Sequence, residues 1–365
     1  MPNHLVIMAA GTGGHVMPGL AVAHEMRARG WSVSWLGTTA GMENRLVPPT
    51  GIAMDTIDFA GLRGKGIGHT VRGAFRLLSS FGACMRILRA RGANAVLAMG
   101  GYVCFPGGVV SRLLRKPLML VNADASLLLS TKALLPFARR VAFGFDGEAA
   151  TRTGGAIVTG NPVRAAIEDM TAPAERFAGR TGPLRVLVVG GSLGAKVLNE
   201  TVPLALSKLP AERRPIVVHQ TGATHREAVR EHYRDAGLDP DAESIRIAPF
   251  IEDMAAELAA CDLVVCRAGA ITVSELCAAG VPSVLVPLIV STTSHQRDNA
   301  TFMAQHGAAM HLPQQDLSAD MLAGILGGLD RPQLLSMAQK AKALARPRAA
   351  ARVADEIEKL VGART

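Results

Sequence analysis

HLVIMAAGTGGHVMPGL, residues 4–20, is the stretch that decides the fold. Leu5 to Ala10 are apolar without alternation, the pattern of a strand covered on both faces. Gly11, Gly13 and Gly14 follow, and AVAHEMRARG (21–30) continues at helical spacing. Glycines let backbone N–H groups approach an anion at the positive end of the helix they open. The stretch therefore reads as strand, phosphate-type loop and helix, with His15 inside the loop. WSVSWLGT (31–38) reads as the next strand, with Trp31, Val33 and Trp35 on one face. The same events recur about 180 residues later in LRVLVVGGSLGAKVLNETVPLALSKL (184–209), where Gly190, Gly191 and Gly194 form the loop, and PIVVHQTG (215–222) is the next strand. DLVVCRAGAITVSELCAAG (262–280) and VPSVLVPL (281–288) add further steps. Alternation of this kind builds parallel, doubly wound sheets. Two such openings predict an α/β chain of two Rossmann-like domains, over 1–161 and 165–345, with GNPVR (160–164) as the hinge. QLLSMAQKAKALA (333–345) and RAAARVADEIEKLV (348–361) read as helices separated at Pro347.

With 365 residues, of which 49% are hydrophobic, the chain has enough apolar material for two or three cores and is not a disordered polymer. The N-terminus runs directly into a strand, without the basic and apolar regions of a signal peptide. No apolar run approaches the roughly 20 residues needed to cross a bilayer. The five cysteines form no CxxC pair and predict buried free thiols in a reducing compartment. The net charge of +9 is localised: Phe59 to Ala123 carries ten Lys and Arg and no Asp or Glu, which leaves the remainder at 9 − 10 = −1. Scarce aromatics and the lack of a base-reading motif argue against nucleic acid as the partner. An anionic membrane surface is the better match. Between Val71 and Leu88, the residues Val71, Phe75, Leu78, Phe81, Met85 and Leu88 recur at three- and four-residue steps with arginines alongside. Val71, Phe75, Leu78 and Phe81 are expected to face the membrane, with Met85 and Leu88 against the sheet. The alternative is a helix packed wholly on its own sheet.

A dinucleotide-dependent dehydrogenase needs an acid ending the second strand to hold the ribose. Here those strands end in Gly37-Thr38 and His219-Gln220, so that reading is weak. Asp239-Pro240-Asp241 spells a metal-binding DxD but sits in the polar loop GLDPDAES (237–244), where a turn is the better account. No Cys/His cluster has zinc spacing, and neither a metal nor another cofactor is expected.

GTGGHVMPGLAVA (11–23), GLRGKG (61–66), MGGYV (99–103), GNPVR (160–164), VVGGSLGAKVLNE (188–200), FIEDM (250–254), CRAGAITVSE (266–275) and HQRDNA (295–300) occur in one order and spacing. In this, over essentially its whole length, the sequence resembles the MurG family. These are bacterial transferases that move N-acetylglucosamine from UDP-N-acetylglucosamine to the lipid-linked muramyl pentapeptide, lipid I, giving lipid II in peptidoglycan synthesis. The resemblance implies a GT-B fold, two Rossmann-like domains facing a cleft, with the last helix, about 347–365, packing back on the first domain. It implies an inverting transfer without a metal. The expected place is the cytoplasmic face of the inner membrane, with lipid I, the anionic membrane surface and other cell-wall enzymes as partners. For the donor it points to Thr12, Gly13, Gly14, Asp124, Arg164 and Ser192, with Arg164 suited to a diphosphate. The backbone of Ile251 matches the position that reads uracil. Ala270, Ile271, Thr272, Val273 and Ser274 open the helix whose Glu275 takes the ribose hydroxyls. His295, Gln296 and Asn299 belong to the segment that holds the sugar. For the acceptor it points to Gly13, Gly14, His15 and Tyr102, with His15 either the general base or a phosphate ligand. On the residues alone, Glu275 is equally an acid stabilised by a helix dipole, His15 a loop cap and Tyr102 a packing residue.

Three positions depart from the family pattern. Ala10 stands where a glycine usually opens the first loop. Ser291-Thr292-Thr293-Ser294 replaces a usually charged approach to the glutamine. After PLML the family usually has His-Glu-Gln-Asn, and this chain has Val121-Asn122-Ala123-Asp124. Asp124 is nearly isosteric with the usual asparagine, but its charge is unfavourable beside a diphosphate unless protonated or paired. It is carried over as a donor-site residue and as a second candidate base. Donor binding is expected to persist and transfer to be weakened, because Val121 and Asn122 do not replace the polar contacts. Three alternatives stay open: a GT-B enzyme with another lipid acceptor such as diacylglycerol, a weakened MurG-like protein that only binds UDP-sugar, and a basic nucleic-acid binder.

Overall fold

The computed structural model describes residues 2–59, 67–191, 194–288 and 294–363, with the backbone alone for 67–75. The chain divides into two compact units, Met1–Val163 with Arg346–Thr365, and Arg164–Ala345. The first holds a seven-stranded sheet: β1 (His4–Ala9), β2 (Ser32–Thr38), β3 (Ala53–Ile57), β4 (Ala95–Gly100), β5 (Leu118–Asn122), β6 (Arg140–Phe143) and β7 (Ala156–Val158), in the order 3-2-1-4-5-6-7. The second holds β8 (Arg185–Val189), β9 (Ile216–Gln220), β10 (Ile245–Ala248), β11 (Leu263–Cys266), β12 (Ser283–Leu285) and β13 (Met310–His311), in the order 10-9-8-11-12-13. Every pairing is parallel. Both are doubly wound sheets whose strand order reverses once, between β1 and β4 and between β8 and β11. At such a point the helices after the two strands leave to opposite faces and open a crevice at the strands' carboxyl ends, the usual place for a ligand.

In the first unit, the Gly13–Ala28 helix covers one face of the sheet over Leu5, Ile7, Trp35 and Leu97. It lies so close that a Cβ on Gly19 would stand 2.7 Å from the Trp35 ring. The Arg331–Ala343 and Ala349–Gly362 helices are interrupted around Pro347, where Arg348 takes a left-handed φ of 58°. The last helix adds Val353, Ala354 and Ile357 to that face. Arg29 fastens it there, donating to Asp355 at 2.7 Å and Glu358 at 2.8 Å. The other face is covered by the Ile67–Ala90 and Cys104–Leu113 helices, over a core of Met8, Leu36, Leu88, Val110 and Phe143.

In the second unit, the fully buried Asp262 binds Arg180 at 2.6 Å, Arg331 at 3.1 Å and the amide of Arg185 at 2.9 Å. The Arg176 guanidinium donates to the carbonyls of Leu258, Ala279 and Gly280 at the C-terminal ends of two helices, where a cation complements the dipole. The Asp239-Pro240-Asp241 segment is a turn, the Asp239 carboxylate accepting from the Asp241 amide at 3.0 Å while Asp241 pairs with Arg230 at 2.6 Å. Among the described residues no helix is long and apolar enough to cross a membrane. All five cysteines are free and buried.

His219 at the end of β9 is fully buried between Tyr233 (Nδ1 to the hydroxyl, 3.1 Å) and Asn199 (Nε2 to Oδ1, 3.2 Å). Asn199 Nδ2 donates to the Thr221 carbonyl at 3.1 Å, so its Oδ1 is the acceptor facing the ring. Nε2 therefore carries the proton and Nδ1 accepts from tyrosine. Burial pushes the His219 pKa down to about 3. Between that value and the ordinary one of about 6.5, the unfolded chain binds a proton that the folded chain refuses, so stability falls as pH falls through this window. Relative to a His219→Phe variant, the protein should lose up to about 1.4 kcal/mol of unfolding free energy per pH unit below 6.5. Urea denaturation followed by circular dichroism at pH 7.0, 6.0 and 5.0 measures it. Parallel slopes for the two proteins would refute the assignment.

Candidate functional site

In the first unit, the ends of β1 and β4 meet at glycines. The Ala10 amide donates to the Gly100 carbonyl at 3.2 Å. A Cβ on Gly101 would stand 2.5 Å from the Ala10 carbonyl oxygen, and one on Gly100 would stand 2.5 Å from Cδ2 of the His15 ring. Both glycines have positive φ, 128° at Gly100 and 93° at Gly101. The MGGYV motif therefore makes the room that His15 occupies. The Gly13–Ala28 helix starts beside this ring with Thr12 as its N-cap, and the amides of His15 and Val16 turn back to the Thr12 carbonyl at 3.1 and 3.3 Å. Those of Gly13 and Gly14 lie ahead of the intrahelical ladder, at the positive end of the dipole. His15 Nδ1 is 3.3 Å from the Ala10 carbonyl, which only accepts. The proton therefore sits on Nδ1, and Nε2 is the basic nitrogen. The ring borders a small pocket lined also by Gly100, Cys104, Val121, Ala123, Leu128 and Thr131.

The altered segment lies against this pocket. Val121 is buried in the core. Asn122 is fully buried, and its side chain closes the following loop: Nδ2 donates to the carbonyls of Asp124 (2.8 Å) and Ser126 (3.0 Å), and Oδ1 accepts from Leu128 N (3.1 Å). Asn161 Nδ2 holds the Ala123 carbonyl at 2.8 Å. Asn122 is thus the internal clamp of this loop, its polar atoms engaged within it, and Asp124 on the same loop is itself buried. Tyr102, expected in an acceptor pocket, is half-exposed and packs edge-on against Phe59 at 6.4 Å rather than lining the pocket beside His15.

In the second unit, the Ala270–Ala279 helix follows β11 with Gly269 as N-cap, and the amides of Ala270, Ile271 and Thr272 form its first turn. Val273 is buried, and the Ser274 hydroxyl bonds back to the Ala270 carbonyl at 2.9 Å. Those two side chains serve the helix, which leaves the first-turn backbone for an anion. Glu275 points from this helix to Arg164, whose Nε and Nη2 both lie 2.8 Å from Oε1. Burial pushes the Glu275 carboxyl above the usual carboxylate range, and Arg164 opposes that shift. The reading of Glu275 as a helix-dipole acid is set aside, since it stands beyond the first turn and is held by a guanidinium. Ile251, expected to read the base, is buried, and Phe250 beside it is 61% exposed. Gln296 Oε1 accepts from the Leu288 amide at 2.9 Å, which turns its NH₂ outward, and His295 precedes it at the helix start. Asn299, expected at the donor, is fully buried and donates to the Ala268 carbonyl at 3.0 Å, so it holds the loop after β11. Ser192 and the GLRGKG motif lie outside the described residues.

Of the residues expected at a membrane, Leu78 is 69% exposed, whereas Phe81 packs on the core and edge-on to Phe105 at 6.3 Å. The side chains of Val71 and Phe75 lie outside the described residues. Leu113 and Leu129 are 65% and 72% exposed and were not singled out in the sequence. Leu113 lies beside Leu114, and Leu129 ends the run Leu127-Leu128-Leu129, so the apolar pattern does not separate each exposed leucine from its partly buried neighbours. Phe250 opens the FIEDM motif, an exposed aromatic in a chain that has few. Among the described residues no group of three or more His, Cys, Asp or Glu is placed to hold a metal.

The profile of the glycosyltransferase family 28 N-terminal domain matches residues 5–143, and that of its C-terminal domain matches residues 185–355. A Methylibium petroleiphilum protein named UDP-N-acetylglucosamine–N-acetylmuramyl-(pentapeptide) pyrophosphoryl-undecaprenol N-acetylglucosamine transferase is 67% identical over 98% of each chain. A Chromobacterium violaceum protein of the same name is 63% identical over 99% of this chain and all of its own. The crystal structure of Acinetobacter baumannii MurG, 38% identical, superimposes with a TM-score of 0.84 over 98% of this chain and all of that one. The chain belongs to the MurG family of glycosyltransferases.

Proposed function

We propose that the protein transfers N-acetylglucosamine from UDP-N-acetylglucosamine to the muramyl hydroxyl of lipid I, with inversion, to form lipid II. The observation that carries this reading is the 67% identity, over 98% of both chains, to a protein named for that reaction. The half-sites supply its chemistry. The first-turn amides at Ala270–Thr272 and the Arg164 guanidinium stabilise the departing diphosphate, and Glu275 accepts from the ribose. The outward NH₂ of Gln296 and the His295 ring hold the sugar. In the other unit, the Gly13 and Gly14 amides bind the acceptor diphosphate. His15 Nε2 takes the proton of the attacking hydroxyl as the new C1–O bond forms and the bond from C1 to the diphosphate breaks, leaving UDP. No step calls on a metal or cofactor. Leu78 and Leu113, within the basic stretch from Phe59 to Ala123, rest on the anionic cytoplasmic face of the membrane that holds the acceptor.

A turnover assay with UDP-N-acetylglucosamine and a soluble lipid I analogue tests the reading. UDP release that depends on the analogue is the expected result, and release with diacylglycerol instead would overturn it. His15→Ala should lower kcat by about a hundredfold or more with unchanged UDP affinity. A comparable loss in Asp124→Asn and none in His15→Ala would transfer the base to Asp124.

Glu275→Ala should weaken donor binding by more than tenfold, since each lost charge-assisted bond is worth roughly 1.5–3 kcal/mol. Because the Glu275 carboxyl is shifted upward, the donor KM of the parent should climb on acidification at a higher pH than an ordinary carboxylate would dictate. Glu275→Gln should flatten that profile. A donor KM independent of pH in the parent rejects the assignment.

Co-sedimentation with phosphatidylglycerol vesicles reports on the membrane surface. A Leu78→Ser, Leu113→Ser variant should stay in the supernatant where the parent pellets, and equal pelleting disproves this surface.

A further inference from the structure

The first glycine loop leans on a residue that no motif above contains. Glu43 is fully buried, and its carboxylate is held by three donors: Oε2 accepts from the Gly11 amide at 2.9 Å, and Oε1 accepts from the Thr38 amide at 3.1 Å and the Thr38 hydroxyl at 2.7 Å. Among the described residues no cation pairs with it. An unpaired buried carboxylate is costly unless oriented donors replace its water, and here two of the three are backbone amides. The chain around it is shaped to admit it. A Cβ on Gly37 would stand 2.9 Å from Glu43 Cγ, and one on Gly41 would stand 2.9 Å from its carboxyl carbon. The neighbouring residue completes the hold, because the Met42 amide donates to the Gly11 carbonyl at 3.0 Å. The backbone N–H and C=O of Gly11, one in each of the two peptides that flank its Cα, are therefore held by residues 43 and 42. Gly11 itself has a φ of +98°, a region that glycine adopts freely and that needs outside support to persist as a single conformation.

We propose that Glu43 is a positioning residue for acceptor binding: by fixing the Gly11 peptide to the end of β2, it sets where the Gly13 and Gly14 amides and the His15 ring stand. The role assigned to those groups rests on the proposed function, whereas the fixing of the loop does not. The carboxylate has two oxygens, one for each backbone amide, and this makes the role testable. In Glu43→Gln a single oxygen remains, so one amide, at Gly11 or at Thr38, must face an NH₂ group.

The experiment compares the parent with Glu43→Gln, Thr38→Val and Arg29→Ala. Thr38→Val removes the hydroxyl bond and keeps both amide bonds. Arg29→Ala loosens the last helix at the opposite end of the Gly13–Ala28 helix from the loop, and serves as a control for lost stability. Glu43→Gln should raise the KM for a lipid I analogue at least tenfold, with UDP affinity within twofold of the parent. Its amide hydrogen exchange over residues 9–16 should quicken about tenfold. Thr38→Val and Arg29→Ala should stay within twofold in KM and in exchange over 9–16, whatever their melting temperatures. Unchanged exchange over 9–16 in Glu43→Gln overturns the proposal. So does an equal KM rise in Arg29→Ala, which would make the effect one of general stability. If the parent shows no transfer to lipid I, the proposed function fails, and the exchange measurement still decides the role of Glu43.

Discussion

The close approach of two backbones at the ends of β1 and β4 is the constraint on which the first unit depends. A single methyl group at Gly101 would meet the Ala10 carbonyl, and one at Gly100 would meet the His15 ring. With both absent, a histidine at the start of the Gly13–Ala28 helix folds back over the sheet end with Nε2 as its basic nitrogen. The parallel order of the sheet places this junction where its winding reverses, so the helix dipole, the loop amides and the imidazole share one spot.

The second unit reaches the same topology with a different polar framework. Its glycine turn is packed against Thr221, whose carbonyl leaves no room for a side chain at Gly194. Asn199 holds the Thr221 carbonyl, and buried His219 in turn holds Asn199. The loop after β11 is held by Asn299 through the Ala268 carbonyl, and Arg164 holds Glu275 across two elements that are 111 residues apart. In both units, buried asparagines bind the carbonyls of irregular segments. A side-chain amide suits that task because it offers two donors and stays neutral on burial.

The replaced segment after β5 shows the same economy. Asn122 carries three hydrogen bonds within one turn of chain, and Asn161 adds a fourth from the end of the unit. The loop is closed by these bonds, and its carboxylate, Asp124, is placed by that closure. Glu43 acts similarly on the glycine loop, though from behind. Its carboxylate lies at the end of β2, where the absence of an acid at Gly37-Thr38 had counted against a dehydrogenase. The acid is there in space, five residues on in the chain, and its two oxygens are already engaged with backbone donors.

The sequence by itself determined the two-unit α/β class, the order of strands and helices and the positions of the glycine loops, because hydrophobic runs and glycines act through local chain geometry. His15, Glu275 and Gln296 became candidates through the resemblance of their motifs to those of the MurG family. What the sequence did not reveal is which of the flagged side chains serve the fold. Asn299 and Asn122 are polar residues in site motifs, and only the partners within bonding distance show that they hold backbone carbonyls. Phe81 has helical spacing suited to a membrane, yet a second helix, contributing Phe105, covers it. Glu43 had no motif at all. Its role comes from Gly11 and Thr38, distant from it in composition and pattern, and is decided where three segments of chain close around one carboxylate. Tertiary structure decides such roles because burial and hydrogen-bond partners depend on what packs opposite, and a linear pattern carries no record of that.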